Sequence, residues 1–216
     1  MGSYLNPGNF SFCGSLRSKI YVDKSELIAK TNEVLCTEQR YICVSRPRRF
    51  GKSMAANMLA AYYDRSENTE ELFQKLAIRE DKSYKENLNQ YDVIKINMQE
   101  FLSMSGTMEE MLEMLKNYLA ADFEETYPEV RFRDEKNLIQ VMKDVFSYTR
   151  CPFVILIDEW DCLFREYKQD KDAQKKYLDF LRAWLKDKDY VALAYMTGIL
   201  PIKKYGSHSA LNMFTE

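Results

Sequence analysis

A short apolar segment followed by a glycine-lysine-serine turn constrains the fold of this chain more than any other feature. The segment Arg40–Ser45 has the composition of a buried strand, and the basic loop Arg46–Phe50 leads from it into Gly51–Ser53, where a helical pattern begins. Backbone N–H groups at the start of a helix point outward with the positive end of the helix dipole, so they bind anions. The order of strand, loop and helix therefore predicts a phosphate-binding turn.

Each part of this turn has a predicted role. Gly51 would let the backbone approach a β-phosphate where a side chain would collide. Lys52 would bridge the outer phosphates as a catalytic cation, and the Ser53 hydroxyl would ligate Mg²⁺. Arg46 stands where such loops usually begin with glycine, and Pro47 removes one amide donor, so the loop has an unusual form. The predicted nucleotide-binding residues of the turn are Arg46, Pro47, Arg48, Arg49, Phe50, Gly51, Lys52, Ser53 and Met54.

A second motif lies further along the chain, at the end of another apolar run. Phe153–Ile157 is unbroken in its hydrophobicity, as expected of a central parallel strand, and two acids follow it. Open α/β sheets bind their ligands at the carboxyl ends of strands. We therefore predict that Asp158 holds Mg²⁺ and that Glu159 is the catalytic carboxylate that polarises the attacking water. The alternative is a strand that simply ends at two solvated acids.

Strands and helices alternate along most of the chain. Residues 1–19 are rich in Gly, Ser and Asn and are predicted to form an irregular arm, whereas 20–216 form one domain. Hydrophobic periodicity predicts strands at 40–45, 93–97, 153–157 and 191–196, and helices at 52–63, 107–126, 134–148 and 171–187, with further helical segments around 27–35 and 72–78. The predicted helix caps are Asp23 or Ser25, Thr107 and Asp134. This alternation predicts an α/β fold with a mainly parallel sheet and right-handed crossovers.

Composition excludes several classes of function. The 31 basic and 33 acidic side chains give a net charge of −2, which provides no general attraction to nucleic acid or acidic membranes. The one histidine, His208, is predicted to lie on the surface and rules out histidine-based triads. Five scattered cysteines without a Cys-x-x-Cys pair argue against a zinc site or a disulfide framework. No apolar stretch reaches the roughly 20 residues that span a bilayer, so no membrane partner and a cytoplasmic location are expected.

Four motifs together resemble the bacterial AAA-ATPase-like family of P-loop ATPases. They are Tyr21–Ser25, Arg46–Ser53, Ile157–Asp161 and Thr197–Gly198, and the likeness extends from about Tyr4 to the end of the chain. Arg46–Ser53 is the most specific of these, and the family shares its Arg-Pro start. The resemblance implies a three-layer α/β/α P-loop NTPase fold of the AAA/ASCE type. It further implies ATP and Mg²⁺ as cofactors, with Thr197 as a polar sensor beside the nucleotide.

The resemblance also implies parts that this chain lacks. Proteins of the family usually continue into a PD-(D/E)xK nuclease-like domain, so that domain is expected beyond Glu216, together with the last strand and lid of the ATPase core. Asp134–Lys136 resembles a nuclease motif but is interpreted as a helix start. The leading hypothesis is an ATPase module that powers or switches an effector domain acting on nucleic acid. Whether the protein forms a homo-oligomer stays open.

Two other functions stay open as well. A regulatory or scaffold module would bind the nucleotide with negligible hydrolysis. A nucleic-acid-binding domain would grip the backbone with the basic loop, but the near-neutral charge argues against this as the primary role.

Several individual side chains also have more than one interpretation. Arg46, Arg48 and Arg49 could contact phosphates, a neighbouring subunit, nucleic acid or only solvent. Asp161 could pair with one of them or cap the following turn. Tyr21 and Asp23 are expected either near the adenine end of the site or in structural packing alone.

Overall fold

The computed structural model of the protein describes residues 2–202 and 210–216, so His208 lies outside the described residues. Its central element is a four-stranded parallel sheet with the order β1-β4-β3-β2. The strands are β1 (Tyr41–Ser45), β2 (Asp92–Asn97), β3 (Phe153–Asp158) and β4 (Val191–Gly198). The prediction of an α/β fold with a parallel sheet is confirmed, and each strand end lies within two residues of its predicted position.

Helices cover both faces of this sheet. The helices of the described ranges are α1 (Phe10–Leu16), α2 (Glu26–Val34), α3 (Lys52–Tyr63), α4 (Glu70–Phe73), α5 (Tyr84–Asn87), α6 (Met98–Met104), α7 (Met108–Thr126), α8 (Leu138–Thr149), α9 (Cys162–Glu166) and α10 (Lys171–Leu185), with a 3₁₀ helix at Ala77–Glu80. Side chains from α1 to α5 share a hydrophobic cluster with Val93, Val154 and Leu156. Side chains from α6 to α10 pack with the alternate strand residues Ile94, Ile155 and Ile157. The sheet therefore lies between two helical layers, which is why β3 and β4 are buried along their whole length.

Both edges of the sheet carry one isolated bridge. Leu5 pairs antiparallel with Ile94 at the β2 edge, and Thr215 pairs in parallel with Ile42 at the β1 edge. The bridge at β1 includes hydrogen bonds of 2.9 Å and 2.8 Å, from Thr215 N to the Tyr41 carbonyl and from Cys43 N to the Thr215 carbonyl. No helix of the described ranges is long and apolar enough to cross a membrane.

The prediction of an irregular arm over 1–19 is wrong for residues 10–16, which form α1. Phe12 is buried there, and its ring lies 5.3 Å from the ring of Phe73 and 6.3 Å from that of Tyr21. Gly14 lowers the local helix propensity of this segment. Burial of Phe12 against distant aromatic rings outweighs that propensity, and the sequence of the segment does not reveal those contacts.

The predicted helix start at Asp134 is also wrong, because α8 begins at Leu138. The side chain of Asn137 accepts a hydrogen bond from Gln140 N and caps the helix, whereas Asp134 accepts one from Lys136 N within a turn. The predicted cap at Thr107 is confirmed, since its hydroxyl accepts from Glu110 N at 3.1 Å. The helical segment predicted around 72–78 is divided into α4 and the 3₁₀ helix.

Candidate functional site

The carboxyl ends of β1, β4 and β3 meet at one edge of the sheet. Val44 is opposite Thr197 and Ile157 is opposite Met196, so Thr197 lies between the end of β1 and Asp158. Neighbouring strands are about 4.8 Å apart, which places the start of the basic loop roughly 10 Å from Asp158. The structure therefore brings the loop and both predicted acids to the same edge, with one strand between them.

The loop between β1 and α3 is exposed from Arg46 to Phe50 and ends in a left-handed turn. Gly51 has a φ of 76° at the N-cap of α3, in the region that residues with a Cβ rarely adopt. A Cβ at this position would lie 3.1 Å from Lys24 Nζ. Arg49 also has a positive φ, of 68°. Glycine is thus favoured at residue 51 by the backbone conformation, while a Cβ there would also require a small shift of the flexible Lys24 side chain.

Lys52 folds back over the beginning of the loop. Its ammonium group donates hydrogen bonds to the carbonyls of Arg46 at 3.0 Å and Pro47 at 3.1 Å, and the side chain is largely buried. Ser53 and Met54 are exposed on the first turn of α3. The cation therefore lies within the curve of the loop, on the edge of the sheet where the two acids also lie.

The three arginines of the loop are exposed. Arg46 N donates to the Gly198 carbonyl at 3.1 Å, which ties the start of the loop to the end of β4, and its guanidinium donates to the Ser45 carbonyl. Within the described residues, Arg48 and Arg49 form no ion pair. All four interpretations of these arginines therefore stay open.

Asp158 is buried and is oriented by its neighbours. Its Oδ1 atom accepts hydrogen bonds from the Thr197 hydroxyl and from Glu159 N, the latter at 3.0 Å. Its Oδ2 atom accepts none from the described residues. Burial lowers the pKa of Lys95 on β2, and the negative charge of Asp158 acts in the opposite direction.

Glu159 is held in an ion pair. It has a positive φ of 54°, and its carboxylate contacts the guanidinium of Arg165 on α9. Arg165 Nε also lies 3.6 Å from Asp161 Oδ1. Glu159 is therefore at the predicted edge of the sheet, but its carboxylate is occupied by a cation that the sequence analysis did not identify.

Asp161 supports the chain that follows β4. It is fully buried, and its Oδ2 atom accepts hydrogen bonds from Ile199 N at 3.0 Å and Leu200 N at 2.7 Å. It makes its ion pair with Arg165 rather than with the loop arginines, and its side chain does not cap α9. Both predicted alternatives for Asp161 are therefore wrong, because the sequence showed neither Arg165 as a partner nor the amides of the next crossover.

Lys24 is a site residue that sequence reasoning missed. Its ammonium group donates a 2.7 Å hydrogen bond to the Phe50 carbonyl, directly before Gly51. The neighbouring acid, Asp23, accepts hydrogen bonds of 2.8 Å from Ser25 N and from Ala77 N. Burial acts to raise the pKa of Asp23, but these hydrogen bonds outweigh it and lower the pKa. The side chains of Asp23 and Ser25 do not cap α2, which corrects that prediction.

An open, mainly apolar cavity of about 350 Å³ lies between this segment and the start of α3. Its walls include Ile20, Tyr21, Val22, Phe50 and Met54. Burial, assisted by the charge of Asp23, raises the pKa of the Tyr21 phenol to about 12, so this ring is neutral at physiological pH. The cavity adjoins the turn at Gly51 and offers apolar surface for a planar group.

Comparison with known proteins gives one family. A model described as a predicted AAA-ATPase, of the AAA-ATPase-like family, matches residues 15–207, a range that contains the loop, both acids and Thr197. No curated protein matches the chain. Within residues 2–202 and 210–216, no group of three or more His, Cys, Asp or Glu side chains is arranged to hold a metal ion.

Proposed function

The chain belongs to the AAA-ATPase-like family of predicted AAA-ATPases, and from this premise we propose that it binds Mg²⁺–ATP at the carboxyl edge of its sheet and hydrolyses it. We place the domain in the three-layer P-loop NTPase fold of the AAA/ASCE type. The observation that carries the proposal is the position of Lys52 within the loop, one strand away from the paired Asp158 and Thr197.

In this proposal the loop wraps the phosphate chain of the nucleotide. Lys52 exchanges its two carbonyl contacts for phosphate oxygens, which provide a stronger, charge-assisted hydrogen bond. The exposed amides at the start of α3 bind the same anion, because the helix dipole favours negative charge there. Arg46, Arg48 and Arg49 increase the positive potential around it.

The residues present suit a magnesium ion. Ser53 offers an exposed hydroxyl, and Asp158 has one carboxylate oxygen that accepts no hydrogen bond from the described residues. Mg²⁺ is bound in nucleotide sites by one or two such oxygens, with phosphate oxygens and water completing its shell. When bound, the ion would neutralise charge on the phosphates. Thr197 fixes the direction of the Asp158 carboxylate and is proposed as the polar sensor.

Glu159 is proposed as the residue that activates water, and this role requires its release from Arg165. A general base must reach the proton it abstracts, although such contacts often form only in the complex with substrate. In the structure the Arg165 guanidinium contacts this carboxylate instead. We therefore expect slow turnover unless nucleotide binding or a partner separates the two side chains.

The cavity beside the turn is proposed to take the adenine base. Tyr21 lines the cavity, which supports its predicted position near the base, whereas Asp23 accepts hydrogen bonds from Ser25 N and from Ala77 N of the 3₁₀ helix. Apolar walls suit a planar base, whose two faces carry no charge.

Two substitutions test the proposal. Lys52→Ala should weaken ATP binding by about 10- to 100-fold, because it removes a hydrogen bond between charged groups. Glu159→Gln should bind ATP normally and lose steady phosphate release. Lys30→Ala is the matched control, because Lys30 is an exposed lysine that forms an ion pair with Glu33 on the same helix. Equal ATP affinity in Lys52→Ala and the control would refute the site assignment.

The ion pair of Glu159 also favours a second candidate, a nucleotide-binding regulatory or scaffold module with negligible hydrolysis. Phosphate release at saturating ATP separates the two functions, since the scaffold function predicts binding without steady release. The implied nuclease-like effector, an action on nucleic acid and self-association stay predictions from the family resemblance.

A further inference from the structure

We infer that Lys24 is a positioning residue for the phosphate-binding turn, in that it holds the Phe50 carbonyl and thereby directs the Gly51 N–H toward the bound anion. The identity of that anion as a nucleotide phosphate rests on the proposed function. The contact itself does not, because both of its atoms belong to this chain.

The geometry of one peptide unit carries the inference. A trans peptide is planar, so its C=O and N–H bonds point in opposite directions. Lys24 Nζ lies 2.7 Å from the carbonyl oxygen of Phe50, and the chain contains no cis peptide among its described residues. The N–H of Gly51 must then point away from Lys24. Within the described residues this N–H donates no hydrogen bond, so it is free to bind a ligand.

This peptide unit needs an external support. Residues on either side of Phe50 have positive φ angles, 68° at Arg49 and 76° at Gly51. Peptides next to glycine rotate easily between turn types, because glycine accepts both signs of φ at little cost. The Phe50 side chain is 57% exposed and provides little anchoring by packing. The hydrogen bond from Lys24 therefore selects one orientation of a peptide that the local sequence leaves free to rotate.

Lys24 is itself held by residues outside the turn. Asp23 accepts hydrogen bonds from Ser25 N and Ala77 N, and the fully buried Ser25 accepts one at 3.0 Å from Ile78 N. The two bonds from Ala77 N and Ile78 N connect the segment before α2 to the 3₁₀ helix. Among the hydrogen bonds of the described residues, the one from Lys24 to Phe50 alone joins this segment to the loop. The hydrogen bonds to the 3₁₀ helix thus fix the backbone of the segment from which Lys24 reaches the Phe50 carbonyl.

Nuclear magnetic resonance of the nucleotide-free protein tests the inference without ATP. Lys24→Met removes the donor but keeps most of the stem, and Lys24→Arg keeps a charged donor. Relaxation dispersion at the Gly51 amide should show microsecond-to-millisecond exchange in Lys24→Met, with wild-type behaviour in Lys24→Arg. Lys30→Met is the control for loss of an exposed lysine charge. A Gly51 amide that behaves alike in Lys24→Met and wild type would overturn the inference.

Nucleotide titrations give the second readout. Lys24→Met should weaken the binding of ADP and of ATP by about 10-fold to the same extent, and Lys24→Arg should restore both affinities. A loss confined to ATP would instead show a direct contact with the terminal phosphate and overturn the positioning role. If wild type binds neither nucleotide, the proposed function fails while the amide measurement still decides the role of Lys24.

Discussion

Replacing Gly198 with alanine tests how closely the end of β4 packs against the turn that follows β3. A Cβ on Gly198 would lie 2.6 Å from Trp160 Nε1, 2.7 Å from Trp160 Cδ1 and 2.9 Å from Asp161 Oδ1. Trp160 and Asp161 are fully buried, so neither can move aside into solvent. The side chain of alanine therefore requires a shift of the indole ring or of the strand.

The expected magnitude follows from two opposing effects. Overpacking of a buried site costs about 1–3 kcal/mol. Alanine in place of glycine reduces the entropy of the unfolded chain, which stabilises the folded state by about 0.4–1 kcal/mol. Gly198→Ala should thus lower the free energy of unfolding by about 1–2 kcal/mol. Gly14 in α1 is the matched control, because a Cβ there has no heavy atom within 4 Å, and Gly14→Ala should raise stability by about 0.5–1 kcal/mol.

Urea unfolding followed by circular dichroism measures both variants. The reasoning is refuted if Gly198→Ala is as stable as wild type, or if the two variants change stability in the same direction. ATP affinity provides a further readout for Gly198→Ala. Since Thr197 precedes this residue and contacts Asp158, a shift of the strand should also weaken nucleotide binding.

Two predictions concern ionisable groups whose pKa is raised by full or partial burial. Burial raises the pKa of the Cys43 and Cys162 thiols to about 12, and partial burial also raises that of Cys36. Because Cys36 is exposed and the other two are buried, a thiol reagent at neutral pH should modify Cys36 and spare both in the folded protein, as peptide mass spectrometry would show. Equal labelling of Cys43 and Cys36 would contradict this packing. Burial likewise raises the pKa of Tyr91 to about 12, so its contribution to stability is fully present below pH 10 and is lost as the pH rises toward 12. The free energy of unfolding should therefore fall between pH 10 and pH 12, and Tyr91→Phe should make this fall shallower. If the free energy of unfolding of Tyr91→Phe has the same slope against pH as wild type, Tyr91 does not contribute to the fall.

The strands were predictable because each has a local cause that its own residues display. In β3 an unbroken apolar run is followed by two acids, and the observed strand ends at the first of them, Asp158. The start of α8 was not predictable in this way. Asp134 and Asn137 are both good capping residues, and only the folded structure shows that Asn137 makes the capping hydrogen bond.

The motifs of the candidate site were predictable from the sequence. The hydrogen bond and the ion pair that connect their residues to other segments were not. Gly51, Lys52 and Asp158 lie at one edge because parallel strands end together, and the alternation of strands and helices along the sequence already indicates parallel strands. The position of β4 between β1 and β3 was not predicted. The partner of Phe50 is Lys24, 26 residues earlier, and no periodic pattern connects the two positions. Arg165 lies only six residues after Glu159, yet their ion pair depends on the turn between β3 and α9.

The most direct test of the proposed site is a structure of the protein with Mg²⁺ and a non-hydrolysable ATP analogue. We predict that the phosphate chain lies over Gly51, that Lys52 Nζ contacts its outer phosphates, and that the metal lies between Ser53 and Asp158. We also predict that the base occupies the cavity beside Tyr21. An analogue bound at another edge of the sheet, or with phosphates out of reach of both Lys52 and Asp158, would contradict the proposal.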